Sequence, residues 1–162
     1  MGENMNIIKP ALLKNGDTIG ILAPSGAMDN DTNLKRGISF FEKRGFKVKL
    51  ADNIYSSNRY LAGSDKERLD AIHKMFSDKS INAIICLRGG YGAIRLINQI
   101  DYNVIRENPK IFCGYSDITA LNVMFLKRAG LSTYSGPMIM SDFGQENLCD
   151  YTINKFFQTV QE

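Results

Sequence analysis

Residues 81–92 read Ile-Asn-Ala-Ile-Ile-Cys-Leu-Arg-Gly-Gly-Tyr-Gly. The stretch 81–87 is a nearly unbroken apolar run, as expected of a strand covered on both faces by helices. The arginine and the glycines then break it. Working outward, the same alternation recurs. Residues 18–23 (TIGILA) are short, apolar and β-branched, and Pro24-Ser25-Gly26 stops them. Residues 31–44 predict a helix, with Leu34, Ile38 and Phe41 on one face, Phe40 on its flank and Gly45 closing it. Residues 46–50 alternate as a second strand, and 53–63 are a polar loop. Ser64-Asp65-Lys66-Glu67 is a capping box, opening a helix with Leu69, Ile72 and Phe76 on one face.

Beyond the glycines, a helix is expected through residues 94–97 and a short buried strand at 111–114 (IFCG). Residues 118–129 predict a long apolar helix closed by Gly130. Residues 133–135 predict a fifth strand before Gly136-Pro137. Residues 151–160 predict a last helix with Ile153, Phe156, Phe157 and Val160 on its apolar face. Strand and helix alternate about five times with no room for hairpins. The expected fold is therefore α/β: a doubly wound, mostly parallel, flavodoxin-like sheet of about five strands with helices on both faces. Function in such sheets gathers at the carboxyl ends of the strands.

Composition limits the function classes. The chain has 162 residues, 44% hydrophobic and 23% charged, so it is long enough for one core and is neither disordered nor collagen-like. Lys plus Arg number 20 and Asp plus Glu 17, a net charge of +3, which is too small to argue for a nucleic acid or an anionic membrane. No apolar run approaches the ~20 residues that span a bilayer. Residues 1–10 lack a signal-peptide core, and Asn6 stands where a myristoylated Gly2 would need Ser or Thr. The 3 cysteines are irregularly spaced; Cys86 and Cys113 sit in apolar runs and read as buried thiols of a reducing compartment. The expectation is a soluble, cytoplasmic protein.

Two loops at strand ends can carry chemistry. Gly114-Tyr115-Ser116-Asp117 lies between a strand and a helix. A sharp turn there holds the Ser116 hydroxyl above the sheet edge, with the next amide facing whatever the hydroxyl attacks. Ile118 stands where the hydrolase motif has its second glycine. The same spacing also fits Ser116 as a helix N-cap with Asp117 favoured by the helix dipole, and both readings stay open. In the loop 88–92, Gly89 and Gly90 let backbone amides approach an anion or a developing oxyanion. Neither a dinucleotide fingerprint nor a Walker loop is present. Ser25 and Gly26 are positioned to line the same cleft. Arg88 either binds a substrate carboxylate or braces its loop. The single histidine, His73, lies mid-helix beside the apolar stripe and reads as a packing residue. Nothing in the sequence brings Lys110 or Lys127 to Ser116. A nucleophile and an oxyanion hole are thus present without a base.

Several segments, taken in order, resemble a known family: Ile21-Leu22-Ala23-Pro24-Ser25-Gly26, Tyr60-Leu61-Ala62-Gly63, the loop 88–92, Pro109-Lys110, Gly114-Tyr115-Ser116-Asp117-Ile118-Thr119 and Gly136-Pro137. From about residue 18 to 144 the chain is similar to the serine peptidases that include the muramoyl-tetrapeptide L,D-carboxypeptidases and the microcin C immunity proteins. The resemblance implies that Ser116 is the nucleophile, with amides of Asp117 and of the Gly89–Gly90 loop, Gly90 foremost, as the oxyanion hole. Arg88, Gly89, Tyr91 and Ser25 are the expected substrate-binding residues. It implies a cytoplasmic homodimer that needs no metal or cofactor and cleaves an amide at the carboxyl end of a peptide or peptidyl-nucleotide. The family's Glu and His partners come from a C-terminal domain that nothing here matches. Residues 1–162 are therefore expected to be the nucleophile-bearing domain alone, inactive by itself. Ser141-Asp142-Phe143-Gly144 is closer to the immunity branch, and Ser135 stands where the muropeptide branch commonly has His. Two other readings predict different behaviour: a non-catalytic flavodoxin-like module binding phosphate or carboxylate, and a domain acting through self-association.

Overall fold

The computed structural model describes residues 6–161, so the reading of Gly2 lies outside the described residues. Strands β1 (Thr18–Leu22), β2 (Lys47–Leu50), β3 (Ala83–Cys86) and β4 (Ile111–Cys113) form one sheet in the order β2-β1-β3-β4. All pairings are parallel, with Ile19 opposite Val48 and Ala83, and Ile84 opposite Phe112. Helices α1 (Asp31–Glu42), α2 (Asp65–Ser77), α3 (Tyr102–Glu107), α4 (Thr119–Met124) and α5 (Asp150–Val160) connect and cover it. The chain leaves β1 towards β2 on one side and returns to β3 on the other. The crevice between the carboxyl ends of β1 and β3 is therefore the switch point of a doubly wound sheet.

The period-2 alternation of the strands sorts the core into two layers. Ile19, Ile21, Ile85 and Cys113 face Phe40 and Phe41 of α1, Phe143, and Ile153 and Phe156 of α5. Leu22, Ile84, Cys86 and Phe112 face Ile72 and Phe76 of α2, Leu121 of α4, and Phe125. The Phe41 and Phe143 rings lie 4.7 Å apart between centroids, and Phe112 meets Phe125 edge-on at 4.9 Å. β2 is the outer strand on one side, with Lys47 and Lys49 exposed and Lys49 paired to Asp78.

The expected fifth strand is reduced to one parallel bridge, Cys113 to Tyr134. Tyr134 donates to Phe112 O at 2.9 Å and accepts from Gly114 N at 3.1 Å. Pairing stops there because Leu131 and Ser132 are tied to Ile8 instead, and Gly136-Pro137 turns the chain away, proline having no N–H to continue a ladder. The helix expected at 94–97 is a single 3-10 turn, Ala93–Arg95, and α3 follows it without having been foreseen. The long apolar helix is composite: a 3-10 turn (Ser116–Ile118), α4, then a π turn (Phe125–Ala129) closed by left-handed Gly130. On α2 the buried stripe is Arg68, Ala71, Ile72, Met75 and Phe76, with Leu69 only half-buried. No helix among the described residues is long and apolar enough to cross a membrane.

Candidate active site

β4 delivers the chain to Gly114 with no room for a side chain: a Cβ there would stand 2.9 Å from Ile118 Cγ2 and 3.1 Å from Cys86 Cβ. The buried Asn122 amide donates to Gly114 O at 2.8 Å. Tyr115 is extended, and Ser116 then turns into the left-handed region at φ +61°. That conformation costs an L-residue on the order of 1–3 kcal/mol and persists only where the surroundings enforce it. Ser116 is exposed and its Oγ makes no hydrogen bond among the described residues. The 3-10 turn has Tyr115 at its N-cap position, with no side-chain cap bond. The capping reading of Ser116 is thereby corrected: the serine stands inside the turn, where its hydroxyl does not meet the turn's free N–H groups.

The glycine loop lies against this serine. A Cβ on Gly89 would be 2.9 Å from Ser116 Cβ, 3.0 Å from Oγ and 3.6 Å from Asp117 N. Gly90 has φ +142°, and a Cβ there would meet Gly26 Cα at 3.1 Å, so neither position accepts a larger residue. Gly89 O accepts from Gly26 N at 3.2 Å, while the Gly89 and Gly90 N–H groups have no partner within the described residues. Ser116, Gly89, Gly90, Tyr115, Met138 and Met140 line an open cleft of about 570 Å³.

The other expected residues divide. Arg88 is half-buried on the cleft wall, ion-paired to Asp29 and 3.5 Å from Ala27 O, which makes it a brace. Tyr91 is 77% exposed and opens on a neighbouring cleft of about 780 Å³ with Tyr60, Arg59 and Met28. Ser25 is corrected from cleft-lining to buried: it has 0% exposure and donates to Asp117 Oδ2 at 2.6 Å. His73 accepts from the Asp101 amide at 2.9 Å and is occupied at the start of α3. Lys110 is buried, its ammonium bonded to Asp78 O and Ile81 O, and burial lowers its pKa. Lys127 is exposed in the π turn. None of these three lines the serine cleft.

Sequence reasoning missed two charged groups behind the site. The Asp117 carboxylate accepts from both Ser25 Oγ and Ala93 N, the latter at 2.9 Å. Arg68 is fully buried and reaches Pro24 O, Gly92 O and Asp65. Arg95 and then Arg68 hold the Asp65 carboxyl below its ordinary 3.8. The available signal was a charge in register with Ile72 and Phe76 on the stripe of α2.

A parallel sheet that carries, after β4, a left-handed serine unbonded among the described residues and set against the glycine loop after β3 defines an α/β domain with a turn of nucleophile-elbow geometry. Comparison with known proteins narrows the class. Residues 19–136 match the family described as the LD-carboxypeptidase N-terminal domain, and the chain belongs to that family. It is 40% identical over 154 residues to a Bacillus subtilis protein named "Probable murein peptide carboxypeptidase", covering 95% of this chain and 48% of that one. A solved MccF-like protein from Bacillus anthracis superposes with TM-score 0.91 at 37% identity, covering 96% of this chain and 47% of the other. The microcin C7 self-immunity protein MccF in complex with aspartyl sulfamoyl adenosine superposes with TM-score 0.90 at 31% identity, covering 94% and 47%. The chain spans about half the length of the curated relatives it matches.

Proposed function

We propose that this chain is the nucleophile-bearing part of a serine carboxypeptidase that cleaves an amide at the carboxyl end of a peptide or peptidyl-nucleotide. The observation that carries the reading is Ser116: strained at φ +61°, exposed, without a hydrogen bond from its Oγ among the described residues, and packed against Gly89. Ser116 Oγ adds to the scissile carbonyl while a base takes its proton. The carbonyl electrons move to an oxyanion that the Gly90 and Asp117 N–H groups stabilise. The tetrahedral intermediate collapses, the amine leaves with the proton, and water deprotonated by the same base releases the acyl group from Ser116. Among the described residues no histidine or lysine lines the cleft, so the base is assigned to the additional length that the relatives carry.

The substrate class has support from two relatives, one named for murein peptides and one solved with an aminoacyl sulfamoyl nucleoside. The free, buried thiols of Cys86 and Cys113 fit a cytoplasmic setting. The exposed Tyr60, Tyr91 and Ile94 near the strand ends fit a homodimer or a covering domain.

The test is hydrolysis of an L,D-tetrapeptide and of an aminoacyl sulfamoyl adenosine, by this chain and by a longer product with the length of its relatives. The longer product is expected to turn over and the 162-residue chain to be almost inert. Ser116→Ala should lower turnover of the active form by roughly 10⁴-fold or more. Retained turnover in that variant overturns the assignment of the nucleophile. Equal rates for the two lengths overturn the assignment of the base. A phosphate-induced rise in Tm, with turnover absent from both lengths, replaces the reading with the binding module.

A further inference from the structure

The peptide unit between Gly92 and Ala93 is gripped from both sides. Its C=O accepts from Arg68 Nη1 at 3.0 Å, and its N–H donates to Asp117 Oδ2 at 2.9 Å. The same two side chains also hold consecutive residues of the turn after β1. Arg68 Nη1 donates to Pro24 O at 2.9 Å, and Ser25 Oγ donates to Asp117 Oδ2 at 2.6 Å. One cation and one carboxylate therefore tie the end of β1 to the far end of the glycine loop. The carboxylate belongs to the residue that follows Ser116.

The polarity of the grip is what makes it informative. A peptide offers an acceptor on one side and a donor on the other. The guanidinium, which only donates, meets the C=O; the carboxylate, which only accepts when ionised, meets the N–H. Rotating that peptide by half a turn breaks both bonds and leaves a fully buried Arg68 and the Asp117 carboxylate each short of a partner, a costly state in a low-dielectric interior. The loop needs such a restraint. Gly90 and Gly92 sit at φ +142° and +116°, where glycine has wide freedom. Amides that sample many orientations stabilise an oxyanion poorly, because stabilisation depends on donors fixed in advance.

We propose that the Asp117 carboxylate and Arg68 are positioning residues: they clamp the Gly92–Ala93 peptide and so hold the glycine-loop amides and the Asp117 amide in register around Ser116 Oγ. Asp117 thus has two separate parts, its N–H at the site and its side chain behind it. The inference rests on the reading of Ser116 as a nucleophile.

The test uses this chain as it is and needs no turnover. N-acetyl-1-aminoethylboronic acid adds to a serine hydroxyl. The oxygen lone pair forms a B–O bond, no B–O bond breaks, boron goes from trigonal to tetrahedral, and the hydroxyl proton leaves to buffer. Boron-11 NMR reads the tetrahedral adduct and titration gives its Kd. The wild type should give a signal that Ser116→Ala loses. Asp117→Ala, checked for folding by circular dichroism, should weaken the adduct at least tenfold. Asp117→Asn should return it to within about threefold, because the amide oxygen can accept from the same two donors. Ser25→Ala should weaken it a few-fold. Wild-type affinity in a folded Asp117→Ala protein overturns the clamp while leaving the nucleophile standing. If Asp117→Ala does not fold, wild-type affinity in Ser25→Ala overturns it equally. Where this chain gives no Ser116-dependent adduct, the same variants are read in a product with the length of its relatives, and absence of the adduct there too removes the nucleophile, and the clamp with it.

Discussion

Ser64 and Ser116 both stand where the chain enters a helix, and they are used in opposite ways. Ser64 sits at φ −66° and accepts from Glu67 N at 3.2 Å, while Glu67 Oε2 accepts from Ser64 N at 2.8 Å. The Ser64 and Glu67 N–H groups are each answered by the other residue's side chain, and the backbone is relaxed. Ser116 is exposed and held in the left-handed region, its hydroxyl unbonded among the described residues. A serine that serves structure lowers the energy of its own turn. Ser116 is maintained in a costlier one by groups elsewhere, here Gly114, Asn122 and the Asp117 carboxylate, as the proposed nucleophile would require.

The sharpest way to break the comparison is Ser116→Gly. Glycine suits φ +61°, so the turn should survive and stability should rise by about 1 kcal/mol in a urea melt. The boronate adduct should vanish completely. A fall in stability would show that the serine is there for structure after all. Next in size, Ser64→Ala should cost about 1 kcal/mol in the same melt, as cap removal does. Its boronate Kd should change little, because the variant loses only the hydroxyl and keeps the Ser64 carbonyl that accepts from Arg68 N at 3.1 Å.

The smallest effect is electrostatic. The Ser64 N–H, then its hydroxyl, then Ser56, hold the Glu67 carboxyl below its ordinary 4.5. A carboxylate with a lowered pKa in the folded state stabilises fully above its unfolded value, and the contribution disappears as pH falls through the folded value. The advantage of the wild type over Glu67→Gln should therefore be visible in melts at pH 6 and shrink below about pH 4. An advantage that grows on acidification would contradict the cap geometry.

The same pair of serines marks what the sequence could disclose. The capping box was legible because all its members lie within four residues. The apolar runs of β1, β3 and β4 were legible because burial on both faces leaves an uninterrupted signature. At Ser116 spacing allowed both a cap and an elbow, since φ there is decided by packing against residues remote in sequence. Arg68 escaped notice because an apolar stripe is found by looking for apolar residues, and this one contains a charge. The fifth strand was over-read because a β-like tripeptide says nothing about whether its neighbours are engaged elsewhere, as Leu131 and Ser132 are with Ile8. The surroundings of Asp117 were only half legible: adjacency put its amide beside Ser116, and nothing local pointed to the bonds its carboxylate accepts from Ser25 and Ala93.

The margins of the sheet bear on how the protein behaves when crowded. On one side, the outermost strand presents Lys47 and Lys49 to solvent, so a second chain trying to extend the ladder there would bring its backbone against cationic side chains. On the other side, β4 is only 3 residues long and the bridge from Tyr134 already occupies its last residue, Cys113. Neither margin offers a template for fibril growth, so concentrated solutions of this domain should remain free of cross-β aggregates while it stays folded.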